Sequence, residues 1–292
     1  MKLGVIDLGS NSLRMGIYEK EDDVIKEVFR ERHQVRLAEG LNSDNMLKKE
    51  PMERTLKVFE KYRQLLMEKQ VDDFKAIATE SLRRAKNASQ FIQCVKLFTG
   101  IDIEVLDGEQ EARYGAVAAH TSVNGDDFYV IDIGGGSVEI SKVKNGAVKN
   151  YNSMPLGCVV MTEKFSPDEQ GDIEIKKHMQ NCIGENLWIN EKLPVCVLGG
   201  VVKELAIAVL GNQEFDGRKI TAKQVFDMYN RIFKTKICER AEKFGIDPKR
   251  CDVMVAGLCP LVTLLEITKA DEIVFCSKGV REGVAMELLN EI

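Results

Sequence analysis

Excess positive charge, histidine, closely spaced cysteine pairs and long apolar runs are what this sequence has little of. Among its 292 residues, 41 Lys and Arg stand against 46 Asp and Glu, a formal net charge of -5. That balance removes the broad attraction that nucleic acid or anionic lipid requires and leaves an anion only a local basic site. Histidine occurs three times, at His33, His120 and His178, and the eight cysteines contain no CxxC pair. The cysteines therefore read as reduced core residues. No apolar run approaches the roughly 20 residues of a membrane span, and strand-like residues begin at Met1-Lys2-Leu3-Gly4-Val5, leaving no room for a signal peptide. The expectation is a cytoplasmic protein with neither a membrane nor a nucleic-acid duplex as partner; a homodimer stays open. What is present, 44% hydrophobic and 30% charged residues, is a globular composition large enough for two lobes with separate cores.

The halves repeat one another. Leu3-Gly4-Val5-Ile6-Asp7-Leu8-Gly9-Ser10-Asn11-Ser12-Leu13-Arg14 reads as strand, turn, strand, and so does Tyr129-Val130-Ile131-Asp132-Ile133-Gly134-Gly135-Gly136-Ser137-Val138-Glu139-Ile140. Each places an Asp at the end of the first strand. A third extended stretch follows in each half, residues 24–37 and 147–155, the second entered through the turn pair Asn145-Gly146. Alternating helices and strands complete each half: helices at 53–69 and 88–98 with strands at 74–79 and 101–106, then a helix opening near Glu109. In the second half the counterparts are 173–187, 195–198, 202–208 with 222–244, 272–276 and 281–289. The order βββαβαβα occurs twice, and Gly108 to Glu111 matches Gly279 to Glu282 in spacing. The expected fold is α/β, two tandem lobes of residues 1–123 and 124–292 around a central cleft, with the break near Ser122 to Asp127 and the last helix free to pack on the first lobe.

Glycine-rich turns let successive backbone N–H groups converge on an anion, since a residue without Cβ can take positive φ and approach closely. Gly9, Ser10, Asn11 and Ser12 form one candidate phosphate cradle, and Gly134, Gly135, Gly136 and Ser137 the other. Asp7 and Asp132, beside these turns, and Glu139 nearby are of the type that holds Mg2+ next to phosphate. One such turn alone is also an ordinary hairpin; two in register resemble the RNase H-like, actin-like ATPase superfold of actin and the sugar kinases.

A closer resemblance rests on four ordered motifs: residues 6–14, Ala78-Thr79-Glu80-Ser81-Leu82-Arg83-Arg84-Ala85-Lys86-Asn87, Gly108-Glu109-Gln110-Glu111-Ala112-Arg113, and residues 131–139. Pro155-Leu156-Gly157, Gly199-Gly200 and Gly279-Val280-Arg281-Glu282-Gly283 add to them. Together they resemble the exopolyphosphatase and guanosine pentaphosphate phosphohydrolase family over nearly the whole chain. The resemblance implies hydrolysis of terminal phosphoanhydrides of polyphosphate or a guanosine polyphosphate. It implies a water activated by Glu111, a phosphate clamp from Arg83, Mg2+ near Asp132 and Glu139, and backbone cradles at the two turns. Position alone fits plainer roles: Glu111 is also a helix-start acid, Arg83 and Arg84 a helix entry, and Glu139 a strand residue that could face solvent.

The sequence departs from these relatives at Gln110, where a second Glu is frequent and whose charge would alter Glu111, at Val201, where Thr is common, and at Arg84, where an acid is frequent and the entrance becomes more positive. Long relatives continue with an HD-type helical region, so the chain reads as a short form suited to short polyphosphates or a nucleotide. Two other readings share the superfold: a small-molecule kinase, and a sensor that binds guanosine polyphosphate with little catalysis.

Overall fold

The computed structural model describes residues 1–22, 24–41, 44–211 and 213–290. In chain order its elements are β1 (Lys2–Leu8), β2 (Ser12–Glu21), β3 (Val24–Gln34), α1 (Lys49–Glu68), β4 (Asp73–Ala78), α2 (Glu80–Arg84), α3 (Ala88–Thr99), β5 (Ile103–Val105), α4 (Gly108–His120), β6 (Phe128–Ile133), β7 (Val138–Lys144), β8 (Ala147–Met154), α5 (Cys158–Phe165), α6 (Pro167–Gln170), α7 (Ile173–Gly184), β9 (Val195–Gly199), α8 (Gly200–Leu210), β10 (Lys219–Thr221), α9 (Ala222–Phe233), α10 (Ile237–Phe244), α11 (Met254–Thr268), β11 (Glu272–Phe275) and α12 (Val280–Asn290).

Two sheets result. The first runs β3-β2-β1-β4-β5 and the second β8-β7-β6-β9-β11-β10. In each, three antiparallel strands are extended by two parallel ones: β1, β2, β3, β4 and β5 correspond to β6, β7, β8, β9 and β11. This is the actin-like ATPase fold, present twice, and short β10 is an antiparallel addition to the second copy. The central strands β1 and β6 are flanked on both sides, so they carry near-continuous apolar runs, and Asp7 and Asp132 stand at their C-terminal ends. Each sheet has its own core. Leu8, Leu13, Phe59 and Tyr62 belong to the first, Ile131, Val197, Leu205 and Leu258 to the second.

The chain divides into two compact units, Met1–Glu111 with Arg281–Ile292, and Ala112–Val280. The sequence puts the break at residues 122–127; the division falls earlier, inside α4. Beyond Glu111 that helix commits its apolar side to the second sheet, where Ala116 and Ala119 pack with Phe128, Val130, Leu198 and Val274.

Three expectations need correction. Helix α11 was not foreseen, although Met254 to Leu265 are all buried. An all-round apolar helix shows no amphipathic period, and Gly257 and Pro260 read as breakers. Second, the helical segment Pro248–Thr268 is, by length and composition, apolar enough to cross a membrane, contrary to the reading of the runs above; 83% of its apolar stretch is buried within the protein. Third, the cysteines are not uniformly core residues: Cys238 is exposed and Cys94 and Cys182 are half-buried.

Candidate active site

The two Asp-turn motifs fold into matching hairpins. In β1–β2, Asp7 pairs with Arg14 and Leu8 with Leu13; in β6–β7, Asp132 pairs with Glu139 and Ile133 with Val138. A four-residue loop joins each pair, closed by a 3.0 Å bond from Gly9 N–H to Ser12 O or from Gly134 N–H to Ser137 O. Neither Gly9 nor Gly134 takes a left-handed φ, so the conformational reason expected for them does not apply. At Gly134 the reason is space: a Cβ would lie 3.0 Å from Ser137 O, against 3.6 Å for the equivalent contact at Gly9.

Both loops have their carbonyl groups taken from one side. In the second, Gly157 N–H donates to Gly136 O at 3.2 Å, Cys158 N–H to Gly134 O at 3.0 Å and Val159 N–H to Gly135 O at 3.0 Å, so the amides that open α5 satisfy the carbonyls of residues 134–136. In the first, Val35 and Arg36 N–H donate to Asn11 O and Ala38 N–H to Ser10 O, all at 3.0 Å. Turning the carbonyls toward these partners favours an amide-lined opposite side, the electrostatic requirement of an anion cradle. The approach explains Pro155-Leu156-Gly157: a Cβ at Gly157 would fall 2.3 Å from Gly136 C and 2.4 Å from Gly135 C. Burial raises the Cys158 thiol to about 11, which keeps it protonated and unreactive.

The paired residues differ in charge. Asp7 faces Arg14, 4.0 Å away. Burial raises the Asp7 carboxyl above the ordinary aspartate range, an effect that Arg14 and Arg281 oppose and Glu282 reinforces. Asp132 instead faces a second carboxylate, Glu139, which is 5% exposed and so does not face solvent; Ser153 Oγ donates to Glu139 Oε1 at 2.6 Å. Like charges at directly opposed strand positions are unfavourable unless a cation intervenes. Among the described residues no three His, Cys, Asp or Glu side chains gather as a metal-binding group. One or two carboxylates are nevertheless the usual protein share of a Mg2+ shell completed by water and phosphate, so Asp132 and Glu139 fit that ion better than Asp7 does.

Arg83 and Glu111 meet. Arg83 Nη1 donates to Glu111 Oε2 at 2.7 Å and to Leu106 O at 2.8 Å, and the Glu111 side chain is only 7% exposed. A carboxylate this buried at a helix start is more than a solvated dipole-compensating acid; the arginine fixes its orientation. The expected clamp residue is thus turned toward the expected base.

Comparison with known proteins settles the family. The Ppx/GppA phosphatase family matches residues 16–292. The chain belongs to the Ppx/GppA phosphatase family. It is 31% identical to a Vibrio vulnificus protein named guanosine-5'-triphosphate,3'-diphosphate pyrophosphatase over 98% of this chain; the chain spans 59% of that relative's length. The crystal structure of the Aquifex aeolicus Ppx/GppA member superposes with a TM-score of 0.87 at 28% identity, covering 100% of this chain and 98% of that one. A crystal structure of a Cytophaga hutchinsonii exopolyphosphatase, 23% identical, gives the same TM-score over 100% of this chain and 99% of that one and has the same fold.

The three departures of this Ppx/GppA chain take a different meaning in the structure. Gln110 turns away from Glu111: its Oε1 accepts from Asp107 N–H at 3.0 Å while its own N–H donates to Asp107 Oδ1 at 2.8 Å, a capping box at the start of α4, and its Nε2 donates to Glu104 at 3.1 Å. Val201 is 1% exposed and packs over Gly257 in the core. Arg84 does not simply add positive charge, because its Nη1 donates to Glu80 Oε1 at 2.8 Å. Sequence reasoning missed Glu80 itself, 6% exposed and accepting from Ser10 Oγ at 3.2 Å. It sits inside a quoted motif, but an acid opening a helix reads as solvent-facing. The motif's last residue, Asn87, is structural: buried, it exchanges bonds of 2.9 and 3.1 Å with the backbone of Leu47.

Proposed function

We propose that this chain hydrolyses the terminal phosphoanhydride of inorganic polyphosphate or guanosine pentaphosphate, with Glu111 orienting the attacking water. What carries the reading is the buried Glu111 carboxylate held at 2.7 Å by Arg83 at the opening of α4. Anhydride hydrolysis asks for positioning and charge neutralisation more than for a covalent nucleophile. Within the first unit the Gly9–Ser12 loop binds phosphate oxygens through backbone N–H groups, and Arg83 spreads charge on the transferred group while keeping Glu111 aimed; within the second unit the Gly134–Ser137 loop offers the same kind of backbone site. Asp132 and Glu139 would hold Mg2+, which would supply neutralising charge to the phosphate oxygens. The name of the Vibrio vulnificus relative supports the guanosine substrate.

The test measures phosphate released by purified protein with Mg2+ from long polyphosphate, tripolyphosphate, guanosine pentaphosphate and, separately, ATP. Glu111→Gln keeps the shape and removes the basicity, so kcat should fall roughly a hundredfold or more with KM little changed and an unchanged melting temperature. Gln110→Glu preserves the capping box and should stay within about twofold of wild type. Near-normal turnover by Glu111→Gln would reduce the residue to a buried structural acid.

A further inference from the structure

Helix α2 is only five residues long and has no side-chain N-cap at Thr79. A helix this short has no stability of its own, so its place is set by what holds it. Leu82 is buried in the first core, and three charged residues make the other ties. Glu80, its first residue, accepts from Ser10 Oγ in the first loop at 3.2 Å. Arg83 donates to Glu111 at 2.7 Å. Arg84, one turn after Glu80, donates to Glu80 Oε1 at 2.8 Å and to Asn45 Oδ1 at 3.3 Å, and Asn45 O in turn accepts from Lys86 N–H at 2.8 Å.

A buried carboxylate bonded to a phosphate-binding loop has the same sign of charge as the substrate. Standing alone it would repel the anion that the loop is built to hold, the more strongly because it is shielded from water. Its hydrogen bond nevertheless ties the loop to the helix: the Ser10 hydroxyl donates to Glu80 Oε2.

We propose that Glu80 and Arg84 are a positioning pair: Glu80 ties the Gly9–Ser12 loop to the helix that aims Arg83 at Glu111, and Arg84 cancels the charge that this tie brings beside the substrate. The inference rests on the hydrolase reading above for its kinetic consequences, and on geometry alone for its effect on the loop. Arg84→Met removes the cancelling charge and keeps much of the side-chain length. It should raise KM for tripolyphosphate about tenfold while kcat falls less. Glu80→Gln keeps an oxygen for Ser10 without the charge and should change KM little. In the double variant Arg84→Met/Glu80→Gln, KM should return to within about threefold of wild type. A purely structural role gives the opposite result, a double variant at least as impaired as Arg84→Met.

Amide hydrogen exchange across residues 9–13 needs no substrate. It should be about tenfold faster in Glu80→Ala and unchanged in Glu80→Gln. If the wild-type chain releases no phosphate from any substrate, the hydrolase reading fails and exchange alone decides the loop tie. Unchanged exchange in Glu80→Ala, or no recovery of KM in the double variant, overturns the proposal.

Discussion

The two hairpins have the same backbone and opposite chemistry. Each ends its first strand in Asp, turns through four residues closed by a 3.0 Å bond, and has its loop carbonyls satisfied by the segment that follows the third strand. Across from Asp7 stands Arg14; across from Asp132 stands Glu139. The first hairpin is internally neutralised, and its following segment is a turn, with Val35, Arg36 and Ala38 as donors. The second holds two carboxylates, and its following segment is a helix start, pressed so close that residue 157 has no room for a Cβ. The duplicated frame thus differs at a single facing residue, Arg14 in the first hairpin and Glu139 in the second, and that residue sets the local charge.

Exchanging that facing residue should have the largest effect. Glu139→Arg gives the second hairpin the charge pattern of the first and should lower Mg2+-dependent phosphate release by roughly a hundredfold to a thousandfold. Since an arginine at a buried position can unfold the sheet, Glu139→Gln belongs beside it, expected to raise the Mg2+ concentration for half-maximal rate with an intact thermal transition. The reverse exchange, Arg14→Glu, creates a second carboxylate pair and should make the melting temperature rise with Mg2+ more steeply than in wild type. A Glu139→Gln enzyme with normal turnover and the same Mg2+ requirement would remove the distinction drawn between the hairpins.

A smaller effect separates the loops by space. Gly157→Ala forces a methyl against the Gly135–Gly136 backbone and should cost about 1–3 kcal/mol or more, seen as a melting temperature lower by several degrees. Gly9→Ala meets only an ordinary 3.6 Å contact and needs no left-handed φ, so it should be neutral or stabilising by up to about 1 kcal/mol. Equal losses in both would mean that the loops are equally crowded.

The smallest effect concerns Asp7. Burial raises its folded-state pKa, so its protonated form is favoured by folding, and the associated stability is present at low pH and lost as pH rises through the aspartate range. Asp7→Asn should therefore stabilise the fold near pH 7, by an amount that shrinks to nothing below the ordinary aspartate pKa. Denaturant unfolding from pH 3 to 7 measures it; destabilisation at pH 7 would mean that the Arg14 pairing outweighs burial.

The duplication was legible because strand-Asp-turn-strand is a local pattern with period two, written twice. The facing partners of Asp7 and Asp132 were not read there; they came only with the register of the folded hairpins. Helix α11 was not, because burial on every side erases the periodicity that marks a helix. Nor was β10, three residues defined only by pairing with β11. Glu111 and Arg83 were singled out through their motifs, but their contact depends on β4, β5 and two helix starts folding together. Gln110 was misread for a related reason: adjacent helix residues point about 100° apart, so a neighbour in sequence is not a neighbour in charge. Glu80 escaped because nothing in a sequence distinguishes a buried carboxylate from a solvated one until its arginine and serine partners are placed.

Arg281, the first residue of the returning segment in the first unit, completes a largely buried group with Tyr18 and Glu27, donating to Glu27 Oε1 at 2.8 Å from a position 254 residues further along the chain. On the ribosome this becomes a matter of timing. Tyr18 and Glu27 emerge early but wait for their arginine until all of the second unit has been translated, so the first unit cannot finish folding as an independent early product. The second unit's most apolar helix also emerges only shortly before that arginine. Both units should therefore mature nearly together, late in synthesis, and a nascent chain stalled before Arg281 should remain sensitive to protease in its first hundred residues.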